Sequence, residues 1–294
     1  MAIDLAQPKV LLEGLLFAES PRWHDGKLWF SDMHAHKVMT VDMEGNSEVV
    51  VELDNDRPSG LGWLDDGSLL IVSMYRKALM RYDSQGLRLH ADLSELTGSF
   101  NNDMVVDAKG RAYVGARGIK PDGTPVRWGR VIMVTPDGEA RSAAEDLHGP
   151  NGTVIFPDGK TLVVAETAGH RLTAFDIEAD GSLTKRRTFA ELGESYADGI
   201  CLDAEGGIWI GSPGTMECLR IVEGGAVTHR LSHNDKKPVA CMLGGDDRRT
   251  LLLVSTKFEI EHLTELTRRE DDKNSRSQSW IETIPVDVPG AGLP

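Results

Sequence analysis

Oxygen-bearing side chains recur at one place in a repeated sequence pattern. Each stands seven or eight positions before the glycine of a turn, at Gly26, Gly67, Gly110, Gly159 and Gly206. The residues found by this count are Glu19, Ser59, Asn102, Asn151 and Asp198. Carboxylate and carboxamide oxygens are ligands that Ca²⁺ prefers, whereas Zn²⁺ favours His or Cys. If the fold gathers these positions, the two carboxylates and two carboxamides predict an all-oxygen site for a divalent cation.

Turn formation is the competing interpretation of the same residues. Asn151-Gly152 and Asp198-Gly199 are ordinary turn dipeptides, and each residue taken alone fits that role. The common position within the repeats is what favours a binding site, because turn formation does not require four ligand-type residues in one register.

The repeats themselves have the chemistry of β-strands. An Asp/Gly turn is followed by a short apolar run, which is typical of a hairpin. Six copies occur at intervals of about 40 to 50 residues. They read HDGKLWFSD from His24, LDDGSLLIVS from Leu64, DAKGRAYVGA from Asp107, FPDGKTLVVAE from Phe156, DAEGGIWIGS from Asp203 and, in degenerate form, GGDDRRTLLLVS from Gly244.

A second hairpin follows most copies, so each unit contains four short strands. Units of this kind predict an all-β, six-bladed β-propeller of four-stranded antiparallel blades, formed by a single domain over residues 1–294. We expect PKVLLEGLLF near the start and SQSWIETIPVD near the end to share one blade and close the ring. The oxygen-bearing residues would stand just before the innermost strands, facing the central channel.

Composition narrows the classes of partner. The 294 residues carry a formal net charge of −14, which disfavours nucleic acid and anionic membranes as partners. No apolar run long enough to cross a membrane and no signal peptide is evident, so a cytoplasmic protein is expected. Cys201, Cys218 and Cys241 are too few and too scattered for a disulfide framework. The oligomeric state stays open.

Several residues could take part in catalysis or substrate binding. Asp198 is a candidate general base, as are three histidines, His34, His36 and His148, of which His34 has the best position in the repeat. Trp128 lies in an insertion, KPDGTPVRWGR, that could cover the channel. The charged segment 262–277 is expected to be a solvated excursion.

Four segments resemble the SMP-30/gluconolactonase/luciferin-regenerating family over roughly residues 9–255. The segments are FAESPRW (17–23), FNNDMVVDAKGR (100–111), GPNGTVIFPDGKTLVVAE (149–166) and YADGICLDAEGGIWIG (196–211). The resemblance implies a six-bladed propeller with a divalent metal on Glu19, Asn151 and Asp198. Asn102 matches a residue that binds the metal directly or through water or substrate, and Asp198 matches the proposed base.

The sequence departs from the family around the substrate. Phe100 stands where gluconolactonase-type members carry an Arg, and Met104 replaces the Gly of their Asn-Asp-Gly. An acidic contact residue expected near 115–125 is replaced by Arg117 and Lys120. With Asn102, Asp103, Arg117, His148 and Trp128 as substrate contacts, these changes favour a less polar substrate, one that could bear an anionic group.

The sequence therefore predicts a metal-dependent hydrolase that opens a lactone or related ester. Calcium is the expected ion, with Zn²⁺, Mn²⁺ and Mg²⁺ as alternatives, and the partner is a small molecule. Three other functions stay open: a phosphotriesterase or arylesterase on the same metal, a non-enzymatic propeller that binds a protein, and a lyase resembling strictosidine synthase.

Overall fold

The computed structural model describes residues 2–118, 129–258 and 277–292. Its strands form six sheets around a central channel, which confirms the predicted six-bladed propeller. Trp128, Lys120 and nearly all of segment 262–277 lie outside the described residues, so the predictions for them are not examined by the structure. In the part of the chain that is described, no helix is both long enough and apolar enough to cross a bilayer.

The strands follow one another along the chain and are grouped by blade. Two strands near the N-terminus are β1 (Ile3–Asp4) and β2 (Lys9–Leu15). Blade one comprises β3 (Ala18–His24), β4 (Lys27–Asp32), β5 (Lys37–Val41) and β6 (Ser47–Glu52). Blade two comprises β7 (Pro58–Trp63), β8 (Leu69–Ser73), β9 (Ala78–Asp83) and β10 (Gly86–Asp92). Blade three comprises β11 (Phe100–Val106), β12 (Ala112–Arg117), β13 (Gly129–Val134) and β14 (Ala140–Leu147).

The second half of the chain repeats this arrangement. Blade four comprises β15 (Pro150–Ile155), β16 (Thr161–Glu166), β17 (Arg171–Ile177) and β18 (Leu183–Glu191), with a 3-10 turn at Thr167–Gly169. Blade five comprises β19 (Ile200–Leu202), β20 (Ile208–Ser212), β21 (Glu217–Ile221) and β22 (Val227–Ser232). Blade six comprises β23 (Lys237–Gly244), β24 (Thr250–Lys257), β25 (Gln278–Pro285) and β2.

Innermost strands from neighbouring blades touch around the whole ring. They are β3, β7, β11, β15, β19 and β23, and β23 contacts β3 to complete the circle. The apolar run after each Asp/Gly turn is therefore the second strand of its blade, and the residues before the turn form the innermost strand. This corrects one prediction: four of the oxygen-bearing residues lie within the innermost strands, and only Asp198 stands before one.

The ring is closed by strands from both ends of the chain, as predicted. Strand β2 pairs antiparallel with β25, with Lys9 opposite Thr283 and Leu15 opposite Ser279. The sequence did not indicate that β1 would add to blade five, where it pairs in parallel with β22. The first residues thus join blades five and six and leave β25 without an open edge.

Apolar side chains fill the spaces between adjacent blades. Separate clusters join blades one and two, two and three, three and four, and four and five, and a larger one joins blade six to both of its neighbours. The three cysteines are free and buried, and Cys201 Sγ lies 3.7 Å from Cys241 Sγ. Burial between blades fixes the tilt of each blade and so the position of its innermost strand.

The innermost strands approach each other so closely that some positions admit no side chain. A Cβ on Gly152 would lie 2.6 Å from the Asp198 carbonyl oxygen, and one on Gly199 would lie 2.4 Å from the Ala240 Cβ. Gly152 N donates to the Asp198 carbonyl oxygen at 3.0 Å, and Gly199 N donates to the Val239 carbonyl oxygen at 2.7 Å. Gly152 and Gly199, which follow Asn151 and Asp198, therefore allow the innermost strands to pack closely at the axis.

A buried ion pair links blades one and three. Arg22 Nη2 donates to Asp103 Oδ1 at 2.6 Å, and the two side chains are 7% and 5% exposed. The same guanidinium also donates to the carbonyl oxygens of Pro21 and Met104. Because a buried charge without its partner is costly, each residue depends on the other.

Deleting residues 2–15 should destabilise the ring, because the loss of β2 exposes the backbone groups of β25. Deleting residues 2–8 is the matched control, since it removes β1 but keeps β2. We expect the longer deletion to lower the melting temperature and to cause concentration-dependent aggregation, measured by thermal unfolding and light scattering. Equal melting temperatures for the two deletions would show that β2 does not close the ring.

Replacing Asp103 by Asn should lower the free energy of unfolding by about 3–5 kcal/mol, because Arg22 keeps its buried charge without a counter-ion. Urea unfolding measures the change, with Asp65→Asn on the exposed surface as the control. The double variant Arg22→Met/Asp103→Asn should lose less than the sum of the two single changes. An Asp103→Asn protein as stable as the parent would leave Asp103 without a structural role.

Candidate metal centre

Irregular strand pairing marks the positions of four of the five oxygen-bearing residues. The register between innermost and second strands shifts between Glu19 and Arg22 in blade one, and the same kind of shift recurs in blades two, three, four and six. The other shifts lie at Pro58/Leu61, Asn101/Met104, Pro150/Thr153 and Pro238/Ala240. A bulge re-aims a side chain out of the regular alternation. The repeated bulge thus explains why Glu19, Ser59, Asn102 and Asn151 share one role.

A chain of hydrogen bonds shows that these side chains meet. Ser59 Oγ donates to Asn102 Oδ1 at 3.3 Å, and Asn102 Nδ2 donates to Asn151 Oδ1 at 2.7 Å. Asn151 Nδ2 in turn donates to Asp198 Oδ1. Residues from blades two, three, four and five, spread over 140 positions of the sequence, about half the chain, are therefore in contact.

Glu19, on blade one, interacts electrostatically with Asp198 at the end of this series of hydrogen bonds. Its burial raises the pKa of its carboxyl well above the usual range, and the nearby Asp198 carboxylate raises it further. Burial likewise raises the pKa of Asp198 to about 6, although Arg117 and the hydrogen bond from Asn151 act in the opposite direction. The raised pKa values mean that ionising both carboxyl groups is unfavourable here, a cost that a bound cation would relieve.

Blade six contributes an apolar side chain at the equivalent position. The hydrogen bond from Gly199 to Val239 matches the one from Gly152 to Asp198, so Val239 is the counterpart of Asp198 in the ring. Val239 is 1% exposed. The oxygen-bearing side chains of the ring therefore come from blades one to five.

The donor set fits a hard divalent cation. Among the described residues, no three His, Cys, Asp or Glu side chains form a metal-binding group. A centre here would therefore depend on the carboxylates of Glu19 and Asp198 together with the carboxamide oxygens of Asn102 and Asn151. Mixed carboxylate and carboxamide oxygen sets suit Ca²⁺ and other oxygen-preferring cations. The unfavourable proximity of two carboxylates is the structural feature that a dication would relieve.

Thr167 is a residue of the site that the sequence did not reveal. Its hydroxyl donates to the Ala197 carbonyl oxygen at 2.8 Å and accepts from Asn151 Nδ2 at 3.2 Å. Arg117 Nη2 lies 3.4 Å from the same hydroxyl oxygen and 4.0 Å from Asp198 Oδ1. Thr167 stands one strand further along blade four than Asn151, outside the repeat position, so no sequence pattern singles it out.

The residues predicted to contact substrate or to act as a base do not all lie at the centre. Arg117 lies at the centre, whereas Asp103 is engaged with Arg22. His148 is exposed, and its backbone N–H donates to Glu166 Oε2 at 2.7 Å. His34 is buried, with its ring 5.0 Å from that of Phe17 and its Nδ1 3.1 Å from Ser277 Oγ. Roles in catalysis or substrate binding for these residues stay predictions.

An apolar cluster lies near the oxygen-bearing residues of blades one to three. Phe17 and Phe100 stand two residues before Glu19 and Asn102, respectively, and both are buried. They belong to a group completed by Met33 and Met74, with Tyr75 and Phe258 packed against it. Phe100 is also the Cα partner of Arg117 in the pairing of β11 with β12, so the cluster lies next to this arginine.

Comparison with known proteins agrees with this architecture. Regucalcin from Danio rerio is 26% identical over 257 residues, which cover 83% of this chain and 84% of the relative. A 6-deoxy-6-sulfogluconolactonase from Pseudomonas putida is 25% identical, with 85% of both chains covered. The crystal structure of a calcium-binding protein, regucalcin, from Agrobacterium tumefaciens superimposes with a TM-score of 0.78 at 22% identity, covering 100% of this chain and 98% of the other.

The family's sequence profile spans all six blades. The profile described as SMP-30/Gluconolactonase/LRE-like region matches residues 17–257, from Phe17 beside Glu19 to the end of β24. The match includes every candidate ligand and the whole ring of innermost strands. The chain belongs to the SMP-30/gluconolactonase/LRE-like family.

Proposed function

We propose that this protein is a divalent-metal-dependent hydrolase that opens a lactone or a related ester less polar than a sugar lactone. The observation that supports the proposal most is the convergence of Glu19, Asn151 and Asp198 at the axis. Names of relatives agree with it, since one is a sulfogluconolactonase and another a calcium-binding regucalcin. Calcium is the proposed ion because the donors are oxygens.

Glu19, Asn102, Asn151 and Asp198 would hold the metal. When bound, the metal supplies a Lewis acid that polarises the ester carbonyl and stabilises the negative charge that develops on its oxygen. Thr167 holds the Asn151 carboxamide in place through its hydroxyl, and the Ala197 carbonyl fixes the direction of that hydroxyl. The chain thus presents its ligands in a preset orientation.

A base must take the proton from the attacking water. Asp198 is proposed because its carboxylate lies among the ligands, close to any substrate carbonyl held there. His34 is the alternative, and its ring is fixed by Phe17 and Ser277. The water's oxygen forms a bond to the carbonyl carbon, the bond to the ring oxygen breaks, and that oxygen receives a proton, which gives a hydroxy acid.

The shape of the surroundings favours a substrate with apolar parts. The cluster of Phe17, Met33, Met74 and Phe100 lies on the side of the ring where gluconolactonase-type relatives would carry an Arg. A hydroxyl-rich sugar ring would find few hydrogen-bonding partners against such a wall. We therefore propose an alkyl-substituted lactone rather than a sugar lactone.

Calcium binding should depend on both carboxylates. Isothermal titration of chelator-treated protein is expected to show one calcium ion bound per chain. Glu19→Gln and Asp198→Asn should each abolish binding, whereas the exposed controls Glu223→Gln and Asp65→Asn should bind as the parent does. At calcium one hundred times the dissociation constant, the parent should gain about 2.7 kcal/mol of stability. Unchanged calcium affinity in either carboxylate variant would contradict the assignment of ligands.

Hydrolysis of lactones should need the metal and should exceed hydrolysis of other esters. We expect activity on γ- and δ-lactones with alkyl substituents to disappear after EDTA treatment and to return after addition of Ca²⁺, Mn²⁺, Zn²⁺ or Mg²⁺. Asp198→Asn should reduce kcat by about 10²- to 10⁴-fold, as expected for loss of a base or ligand. Faster turnover of phosphotriesters or aryl esters would replace the lactonase assignment.

The two proposed bases can be separated by a further variant. His34→Gln should retain metal binding, and its kcat should fall by a similar factor only if His34 accepts the proton. Full activity of His34→Gln on the best lactone would leave Asp198 as the base. Activity of Asp198→Asn protein that persists without metal would refute the mechanism.

A further inference from the structure

Arg117 is placed at the candidate metal centre by the last position of β12. Its Nη2 lies 3.4 Å from Thr167 Oγ1 and 4.0 Å from Asp198 Oδ1, and its side chain is 19% exposed. The contact with Asp198 is too long for a hydrogen bond. The guanidinium therefore stands beside the ligands without forming a paired, bidentate salt bridge.

Arg220 and Arg111, two other buried arginines of this propeller, are engaged differently. Arg220 donates from Nε to Asp203 Oδ2 at 2.6 Å and from Nη2 to Asp203 Oδ1 at 3.1 Å. Arg111 similarly donates from Nε to Asp107 Oδ2 at 2.7 Å. In contrast, the Nε of Arg117 is buried and has no hydrogen-bond partner among the described residues. A buried donor without an acceptor is unfavourable, so the site has an unmet capacity for an anion.

The charges described around Arg117 point the same way. A bound dication would neutralise Glu19 and Asp198, and the Arg22 charge is already matched by Asp103. Tyr196, which also faces Asp198 and Arg117, is a neutral phenol at pH 7. The positive charge of Arg117 would then have no matching negative charge at the centre. A single negative charge on the ligand would restore balance locally.

We propose that Arg117 binds a carboxylate on the substrate, so that the preferred substrates are lactones that carry a carboxylate close to the ester group. This inference rests on the proposed lactonase function and names its substrate class. The planar guanidinium matches a carboxylate with two parallel hydrogen bonds, and it offers Nε for one of them. The short distance from Arg117 to Asp198 requires the carboxylate to lie near the reacting carbonyl.

The apolar cluster and Arg117 together define how such a substrate would lie. Arg117 is the Cα partner of Phe100 across β12 and β11, and Phe100 belongs to the apolar cluster with Phe17, Met33 and Met74. A lactone with its carboxylate at Arg117 would direct its hydrocarbon part towards Phe100. Selectivity would then come from one charge and the apolar surface that lies next to it.

The test compares two lactones that differ only in charge. The pair is a γ-lactone with a carboxymethyl substituent and the same lactone with the corresponding carboxamide. We expect wild-type protein to prefer the carboxylate in kcat/KM, and Arg117→Met to lower the ratio of the two values by roughly 10- to 100-fold. Arg117→Lys should keep part of the preference, since it keeps the charge but not the planar fork.

A matched control comes from the neighbouring strand. Arg130, opposite Ala116 in the pairing of β12 with β13, forms a surface contact of 3.5 Å with Glu145. Arg130→Met removes an arginine from the same blade and should leave the ratio of kcat/KM values unchanged. Thermal unfolding of each variant ensures that the comparison uses folded protein.

A binding measurement separates this proposal from the hydrolase assignment. Calorimetry of calcium-loaded protein with 3-oxocyclopentanecarboxylate, which cannot be hydrolysed, should show binding that Arg117→Met weakens roughly tenfold or more. If that binding is observed but no lactone is hydrolysed, the hydrolase proposal fails and the carboxylate site stands. If neutral lactones are hydrolysed and the ratio is the same in Arg117→Met, the carboxylate site is overturned and the hydrolase stands. A preference for a sulfonate over the carboxylate would also overturn it.

Discussion

Repulsion between Glu19 and Asp198 is the constraint around which the centre of this propeller is organised. Two carboxylates that were free in solution would move apart. Here blades one and five hold them near the axis, where burial limits their hydration. The energy needed to hold them there comes from apolar burial between the blades, because these contacts fix the innermost strands. A fold that maintains such an arrangement keeps a binding capacity at some cost in stability.

Bulges in the innermost strands make the arrangement possible. In a regular strand, successive side chains point to opposite faces of the sheet, towards one neighbouring blade or the other. The shifted register frees one position per blade, where Glu19, Ser59, Asn102 and Asn151 stand. The residue after it must be small or bonded elsewhere, as Gly152 and Asp103 illustrate. One local irregularity, repeated around a ring, thus builds a site from distant parts of the chain.

The surroundings of the centre are not symmetric, although the blades are. Blades one to three contribute an apolar cluster around Phe17 and Phe100, blade three also contributes the Arg117 guanidinium, and blade four contributes the Thr167 hydroxyl. Blade six contributes Val239, which gives no ligand. The oxygen-bearing residues follow the repeat, whereas the apolar and cationic side chains around them stand at other positions. These other positions can therefore vary without changing the oxygen-bearing set.

The amino-acid sequence determined the number of blades, the ring closure by β2 and β25, and the set of positions that meet at the axis. These features follow from period and strand pattern, which act locally and repeat. The sequence could not place Thr167 at the centre or show β1 beside β22. It also could not show that Asp103, a predicted substrate contact, pairs with Arg22. His34 and Trp128 keep their predicted roles untested, the second because it lies outside the described residues. Only the tertiary structure decided which side chains touch Asp198 and how Arg117 stands beside it, because such contacts depend on the tilt of whole blades, and that tilt is set by packing between residues far apart in the chain.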